Sequence, residues 1–171
     1  LIPNKSYFFF SHTIKKQPYN RKLLQSILNK NITLYDHEAL VNKFHHRLIG
    51  FGYYAGVVGA YNGFRALGLK FDSFQLPKAN TLVDRLELNK QLDQIKVPTV
   101  KIILTGTGRV GQGAKEILDH LNIKHVSVNQ FLNHKFEEAV YVQLDVLDYC
   151  ERHDGMSLGK KDFFKFPKAY Q

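Results

Sequence analysis

A short apolar strand followed at once by closely spaced glycines restricts this 171-residue chain more than any other feature. The stretch reads Val100-Lys-Ile-Ile-Leu-Thr-Gly106-Thr107-Gly108-Arg109-Val110-Gly111-Gln-Gly113. An amphipathic segment from about Gln112 to Leu121 follows, with Ala114, Ile117, Leu118 and Leu121 on one face. A strand, glycines spaced G-x-G-x-x-G and a helix form the first βα unit of a dinucleotide-binding domain. Gly106 lets the chain turn sharply out of the strand, Gly108 lets a pyrophosphate approach the backbone, and Gly111 lets the helix pack closely on the strand. The helix start then offers free N–H groups and the positive end of its dipole to phosphates. Thr107, Arg109 and Val110 complete this candidate cofactor loop. Such domains carry an Asp or Glu about 20 residues further on, at the end of the second strand, to bind the adenosine ribose. That strand is expected at roughly Lys124 to Val128, and Asn129-Gln130 stands where the acid belongs. Asn129 can hydrogen-bond a ribose without a charge, so NAD is the expected cofactor and NADP stays open. Arg109 either favours a phosphate or is a solvated loop residue.

Composition narrows the class. The hydrophobic fraction of 44% is enough for a packed core, and no low-complexity run or short repeat points to disorder. Cys150 is the single cysteine and has no internal disulfide partner, which fits a reducing, cytoplasmic setting. The net charge of +9 raises nucleic-acid binding. The basic residues are scattered, however, apart from Lys15-Lys16 and Lys160-Lys161. An anionic cofactor and a carboxylate-bearing substrate account for the charge equally well, so no nucleic-acid partner is expected, and no metal. Leu48 to Phe64 holds no charged residue, but it is 17 residues long and contains five glycines. Spanning a bilayer takes about 20 apolar residues, so no membrane segment is expected. Leu1-Ile-Pro-Asn-Lys5 resembles no signal peptide and lacks a starting Met. The expectation is an internal piece of a longer protein, its oligomeric state open.

Ser6 to Ser11 reads as a buried strand ending at His12. Asn20 reads as the N-cap of a helix running to about Lys30, with Leu23, Leu24, Ile27 and Leu28 inward and Asn31 at its end. Ile32 to Tyr35 reads as a second strand, and Asp36 as the cap of a short turn. Strand, helix, strand implies parallel pairing. Arg47 to Phe51 is expected as a buried strand, Gly52 to Ala55 as a turn, and Gly56 to Leu67 as a helix. Thr81 to Leu92 reads as a helix with Leu82, Val83 and Leu86 inward, and Ala139 to Leu144 as a third strand of the later part. The fold class is α/β. Residues 1–46 would be the C-terminal part of a substrate domain, and 47–171 an incomplete Rossmann-like cofactor domain with a parallel sheet.

His12 lies at the carboxyl end of its strand, where ligands gather in open α/β folds. A histidine there exchanges protons near neutral pH, or is a loop histidine without chemistry. Glu38 is either a surface charge or part of that site. Arg47 is either structural or a two-pronged carboxylate ligand.

Three stretches carry a resemblance: His12-Thr-Ile-Lys-Lys-Gln17-Pro-Tyr, Thr33-Leu-Tyr-Asp-His-Glu38, and Arg47-Leu-Ile-Gly-Phe-Gly-Tyr-Tyr-Ala-Gly56-Val-Val-Gly-Ala60. Together they resemble the lysine-forming saccharopine dehydrogenases of the alanine dehydrogenase and transhydrogenase superfamily. The resemblance implies an NAD-dependent oxidation of saccharopine and hydrolysis of the resulting imine to lysine and 2-oxoglutarate. It implies that His12 is the acid/base histidine and that Glu38 tunes the charge of the catalytic centre. Gln17 and Arg47 would contact the amino-acid substrate, Arg47 through a carboxylate. The family's second catalytic group, a lysine, belongs just upstream of a segment like Leu1–Lys5. The chain also leaves the family pattern after Val128. An alanine-dehydrogenase-like oxidoreductase and a non-catalytic nucleotide-binding module therefore stand as alternatives.

Overall fold

Two short apolar segments, Ser6–Phe9 (β1) and Thr33–Asp36 (β2), pair in parallel from Ser6↔Thr33 to Phe9↔Asp36. The helix Arg21–Asn29 (α1) connects them. A computed structural model describes residues 1–156 and 159–171, and within it the chain divides into two compact units, Leu1–Phe51 and Gly52–Gln171. In the first unit the expected buried strand is only half covered. Phe8 is exposed and stacks on the exposed Tyr35 across the pair, with ring centroids 4.5 Å apart. Two strands offer too little surface to bury both faces. On α1 only Ile27 is buried, while Leu24 and Leu28 face outward. Asn20 precedes α1 but makes no side-chain cap bond. Its amide instead reaches the His12 carbonyl at 3.5 Å. Asn31 ends the helix in the left-handed region, φ 47°.

The second unit holds the helices Gly52–Phe71 (α2) and Arg85–Leu92 (α3), the strand Lys101–Thr105 (β3) and the helix Arg109–His120 (α4). Lys124–His125 (β4), Val128–Asn133 (α5), Val140–Leu144 (β5) and Lys160–Lys165 (α6) follow. The three strands are parallel in the order β3-β5-β4. The core gathers Val57, Tyr61 and Phe64 from α2, Leu88 and Leu92 from α3, Ile117 and Leu118 from α4, and Tyr141 from β5. Its two tyrosines satisfy their hydroxyls, Tyr61 on the Pro77 carbonyl at 3.0 Å and Tyr141 on Asp119 at 3.1 Å.

Three expectations are corrected here. Arg47–Phe51 is not a strand: Arg47 makes one isolated antiparallel bridge to Val41, and the turn expected at Gly52–Ala55 is already the start of α2. The segment is apolar all round, so no period marks where the helix starts. The helix expected from Thr81 begins at Arg85, because the Asp84 carboxylate accepts the Glu87 N–H at 2.9 Å and caps it there. Val83 and Leu86 consequently point outward, and Leu88 joins Leu92 in the core. The second strand of the glycine unit stops at His125, and Ser127 and Gln130 form a capping box that opens α5 two residues later. That strand does not pair with β3 either. β5 lies between them, whereas the first two strands of the usual dinucleotide fold are neighbours.

Candidate functional site

The carboxyl ends of β1 and β2 bring together residues far apart in sequence. His12 follows β1 with its backbone left-handed, φ 55°. Glu38 follows β2, and its side chain is 7% exposed. His12 Nδ1 lies 3.1 Å from Glu38 Oε2, Lys15 Nζ 3.3 Å from Oε1, and Arg47 Nη1 3.4 Å from Oε1. Lys15 Nζ also lies 3.1 Å from His12 Nδ1. When protonated, Nδ1 donates to Glu38; when not, it accepts from Lys15. Nε2 has no protein partner among the described residues. Burial pulls the Glu38 carboxyl upward. Hydrogen bonds from His12 and Lys15 and the charges of Lys15 and Arg47 outweigh it, so Glu38 titrates below its usual range. Beneath this cluster, Asp36 accepts from the Ser11 hydroxyl and, at 2.9 Å, from the Glu38 N–H. Burial raises the Asp36 pKa, but these bonds hold it low.

The second unit carries the glycine loop. Gly106 has φ 88°, a conformation that L side chains rarely adopt. A Cβ on Gly111 would sit 2.1 Å from the Gly106 carbonyl oxygen, so only glycine lets α4 start this close to the turn. Gly108 is open, with nothing within 4 Å of an added Cβ. α4 begins at Arg109, three residues earlier than its sequence suggests, and its first turn holds no acid. Arg109 and Val110 are exposed. Thr107 donates from its hydroxyl to Asp145 at 2.8 Å and accepts from Lys160 Nζ at 3.0 Å. Lys160 also pairs with Asp145. The hydrogen bonds from Lys160 and Thr107 lower the Asp145 pKa.

No family model matches the chain. Alpha-aminoadipic semialdehyde synthase of Bos taurus, named as mitochondrial, is 31% identical over 148 aligned positions, covering 76% of this chain. The Arabidopsis thaliana protein of that name is 28% identical over 204 positions, covering 99% of this chain and 19% of the relative. Saccharopine dehydrogenase (NAD(+), L-lysine-forming) of Candida glabrata is 30% identical over 131 positions, covering 70% of this chain and 35% of the relative. The chain is a homologue of the saccharopine dehydrogenases. It spans 16% of the length of the bovine relative. In this homologue, four residues singled out from sequence fall in the first unit, and the structure joins three of them, His12, Glu38 and Arg47. Gln17 stands apart from that cluster and accepts from the Tyr19 hydroxyl at 2.6 Å. Gly106 to Gly108 form the turn into α4 and Arg109 to Gly111 its first turn, whereas Asn129 is the second residue of α5 and accepts from the Asn133 amide at 2.6 Å. Lys15, Ser11 and Asp36 escaped the sequence reading. For Lys15 the available signal was its position three residues after His12, one turn on. Among the described residues no helix of the saccharopine dehydrogenase homologue is long and apolar enough to cross a membrane.

Proposed function

We propose that this chain belongs to an NAD(P)-dependent amino-acid dehydrogenase that converts saccharopine, NAD and water to lysine, 2-oxoglutarate, NADH and a proton. The observation that carries the reading is the contact of His12 with the nearly covered Glu38, at the carboxyl ends of parallel strands, in a homologue of saccharopine dehydrogenases. The glycine loop fits an anionic cofactor. Gly106 takes a conformation reserved for glycine, Gly108 leaves its backbone open to approach, and the first turn of α4 carries no acid to repel phosphate. Thr107, Arg109, Val110 and Gly111 complete the cradle, and Asn129 is the candidate for the ribose. A dinucleotide bound there supplies the hydride acceptor.

Four of the chain's own residues take part in the remaining chemistry. His12 exchanges protons through Nε2 with the substrate nitrogen and with the water that hydrolyses the imine. Glu38 stabilises the imidazolium and keeps Nδ1 occupied. Arg47 forms an ion pair with Glu38 at 3.4 Å, and its guanidinium N–H groups can take a substrate carboxylate. Among the described residues only the side-chain oxygen of Gln17 is engaged, which leaves its amide N–H groups for a second polar contact.

The test is made on the full-length protein. NADH absorbance is followed with lysine plus 2-oxoglutarate, and in reverse with saccharopine, with alanine plus NAD as the comparison. His12→Ala should lower turnover by about 10²–10⁴-fold, the usual general acid–base contribution. Turnover unchanged by that substitution would sink the assignment. A non-catalytic nucleotide-binding module is the second reading, favoured by β5 lying between β3 and β4 and by the engagement of Asn129 with Asn133. It predicts cofactor binding without oxidation of any of these amino acids.

A further inference from the structure

A β-carbon disfavours the left-handed backbone in which His12 is held. Such a conformation persists where its surroundings over-determine it, and such residues cluster at functional sites. Two donors hold the His12 carbonyl, the Lys15 N–H at 3.1 Å and the Asn20 amide at 3.5 Å, and Ser11 and Asp36 fix the chain on either side. Ser11 is 2% exposed and is the buried polar residue among the described positions. Its hydroxyl donates to Asp36 Oδ2. With that proton committed, Ser11 Oγ acts as acceptor, from the Thr13 N–H at 3.1 Å and the Thr13 hydroxyl at 2.8 Å. The residues on either side of His12 are thereby tied together. Asp36 Oδ1 accepts from the Glu38 N–H at 2.9 Å and from the Ser11 N–H at 3.4 Å. One carboxylate thus fixes the residue before His12 and the backbone of Glu38, across the ends of β1 and β2. A buried hydroxyl and a carboxylate cost free energy unless fully bonded, and here each is bonded to the other. What the pair adds is orientation.

Resting on the reading of His12 as the acid–base group, we infer that Ser11 and Asp36 are positioning residues whose mutual hydrogen bond sets His12 Nδ1 against Glu38. Neither touches the reacting atoms. Without either one, the His12 backbone is free to leave the left-handed region, and its ring loses the 3.1 Å contact with Glu38.

The first test reads the contact itself, by nuclear magnetic resonance of the nitrogen-labelled chain at mildly acid pH. An imidazole Nδ1–H bonded to a carboxylate gives a slowly exchanging downfield resonance, and Glu38→Gln, which removes the carboxylate, defines its absence. Asp36→Asn and Ser11→Ala should each lose it while circular dichroism shows the fold retained. Its persistence in either folded variant overturns the inference. Should Ser11→Ala fail to fold, the isosteric Asp36→Asn decides. In the full-length protein, Ser11→Ala should lower kcat by roughly tenfold with KM little changed, because orientation is lost but substrate contacts are not. A raised KM at unchanged kcat would count against it. The resonance needs no turnover, so a protein that oxidises no amino acid overturns the proposed reaction and leaves this test standing. A rate lost in His12→Ala beside an intact resonance in Asp36→Asn overturns the positioning alone.

Discussion

Glu38 gathers His12, Lys15 and Arg47 around one almost covered carboxylate. A carboxyl held below its usual range stabilises the fold at every pH above its unfolded pKa, and that contribution is lost as pH falls through the lower folded value. Both Glu38 and Asp36 are held low, so the first unit should lose stability as pH drops below about 4, the ordinary carboxylate range. Denaturant unfolding at a series of pH values checks this, and Glu38→Gln should flatten the fall. Parallel curves for wild type and variant would show that the ion cluster is not linked to folding. At this scale the sequence was half legible. His12, Glu38 and Arg47 stand out through the family resemblance, whereas their positions alone leave each a reading without chemistry. Asp36 reads only as a turn cap, and Ser11 as a strand terminus, because a hydrogen bond between residues 25 apart leaves no local pattern.

Backbone contact between α2 and α4 depends on two glycines that face each other. A Cβ on Gly56 would lie 1.9 Å from the Val110 carbonyl oxygen, and one on Gly113 would lie 1.9 Å from that of Tyr53. Neither neighbour is a flexible side chain, so the helices would have to separate. Gly59 and Gly63, on the same helix, have open space where a Cβ would go. Gly56→Ala should therefore destabilise the second unit by about 1–3 kcal/mol, the usual cost of overpacking. Gly59→Ala should stabilise it by about 0.5–1 kcal/mol, through helix propensity alone. Thermal unfolding of the two variants checks the contrast, and equal shifts of the same sign would refute the packing argument. The glycine spacing in this segment was visible in sequence, but its close packing on another helix was not. The extent of the helix was not, since an apolar segment with five glycines shows no periodic boundary. β3 and β5 were legible from their flanking turns and β-branched residues. The place of β5 between β3 and β4 was not, because strand order depends on pairing across the sheet.

The His12–Glu38–Arg47 cluster lies wholly in Leu1–Phe51, and the glycine loop wholly in Gly52–Gln171, so the proposed function gives one task to each unit. Proton transfer and cofactor binding should then fail independently under mutation. Gly111→Ala places a Cβ 2.1 Å from the Gly106 carbonyl oxygen, so the turn must open and the phosphate cradle with it. In the full-length protein this substitution should weaken NADH binding by at least about tenfold, roughly 1.4 kcal/mol, as read by quenching or enhancement of cofactor fluorescence. The His12–Glu38 resonance should stay unchanged in the same variant. Glu38→Gln should do the reverse, lowering kcat while leaving the NADH dissociation constant within twofold or so, because no cofactor contact is assigned to it. A Gly111→Ala protein that binds NADH normally would remove the glycine loop from the cofactor site. A Glu38→Gln protein that loses NADH affinity would mean that the carboxylate contributes to cofactor binding as well as to the histidine, and the assignment of one task to each unit would fall.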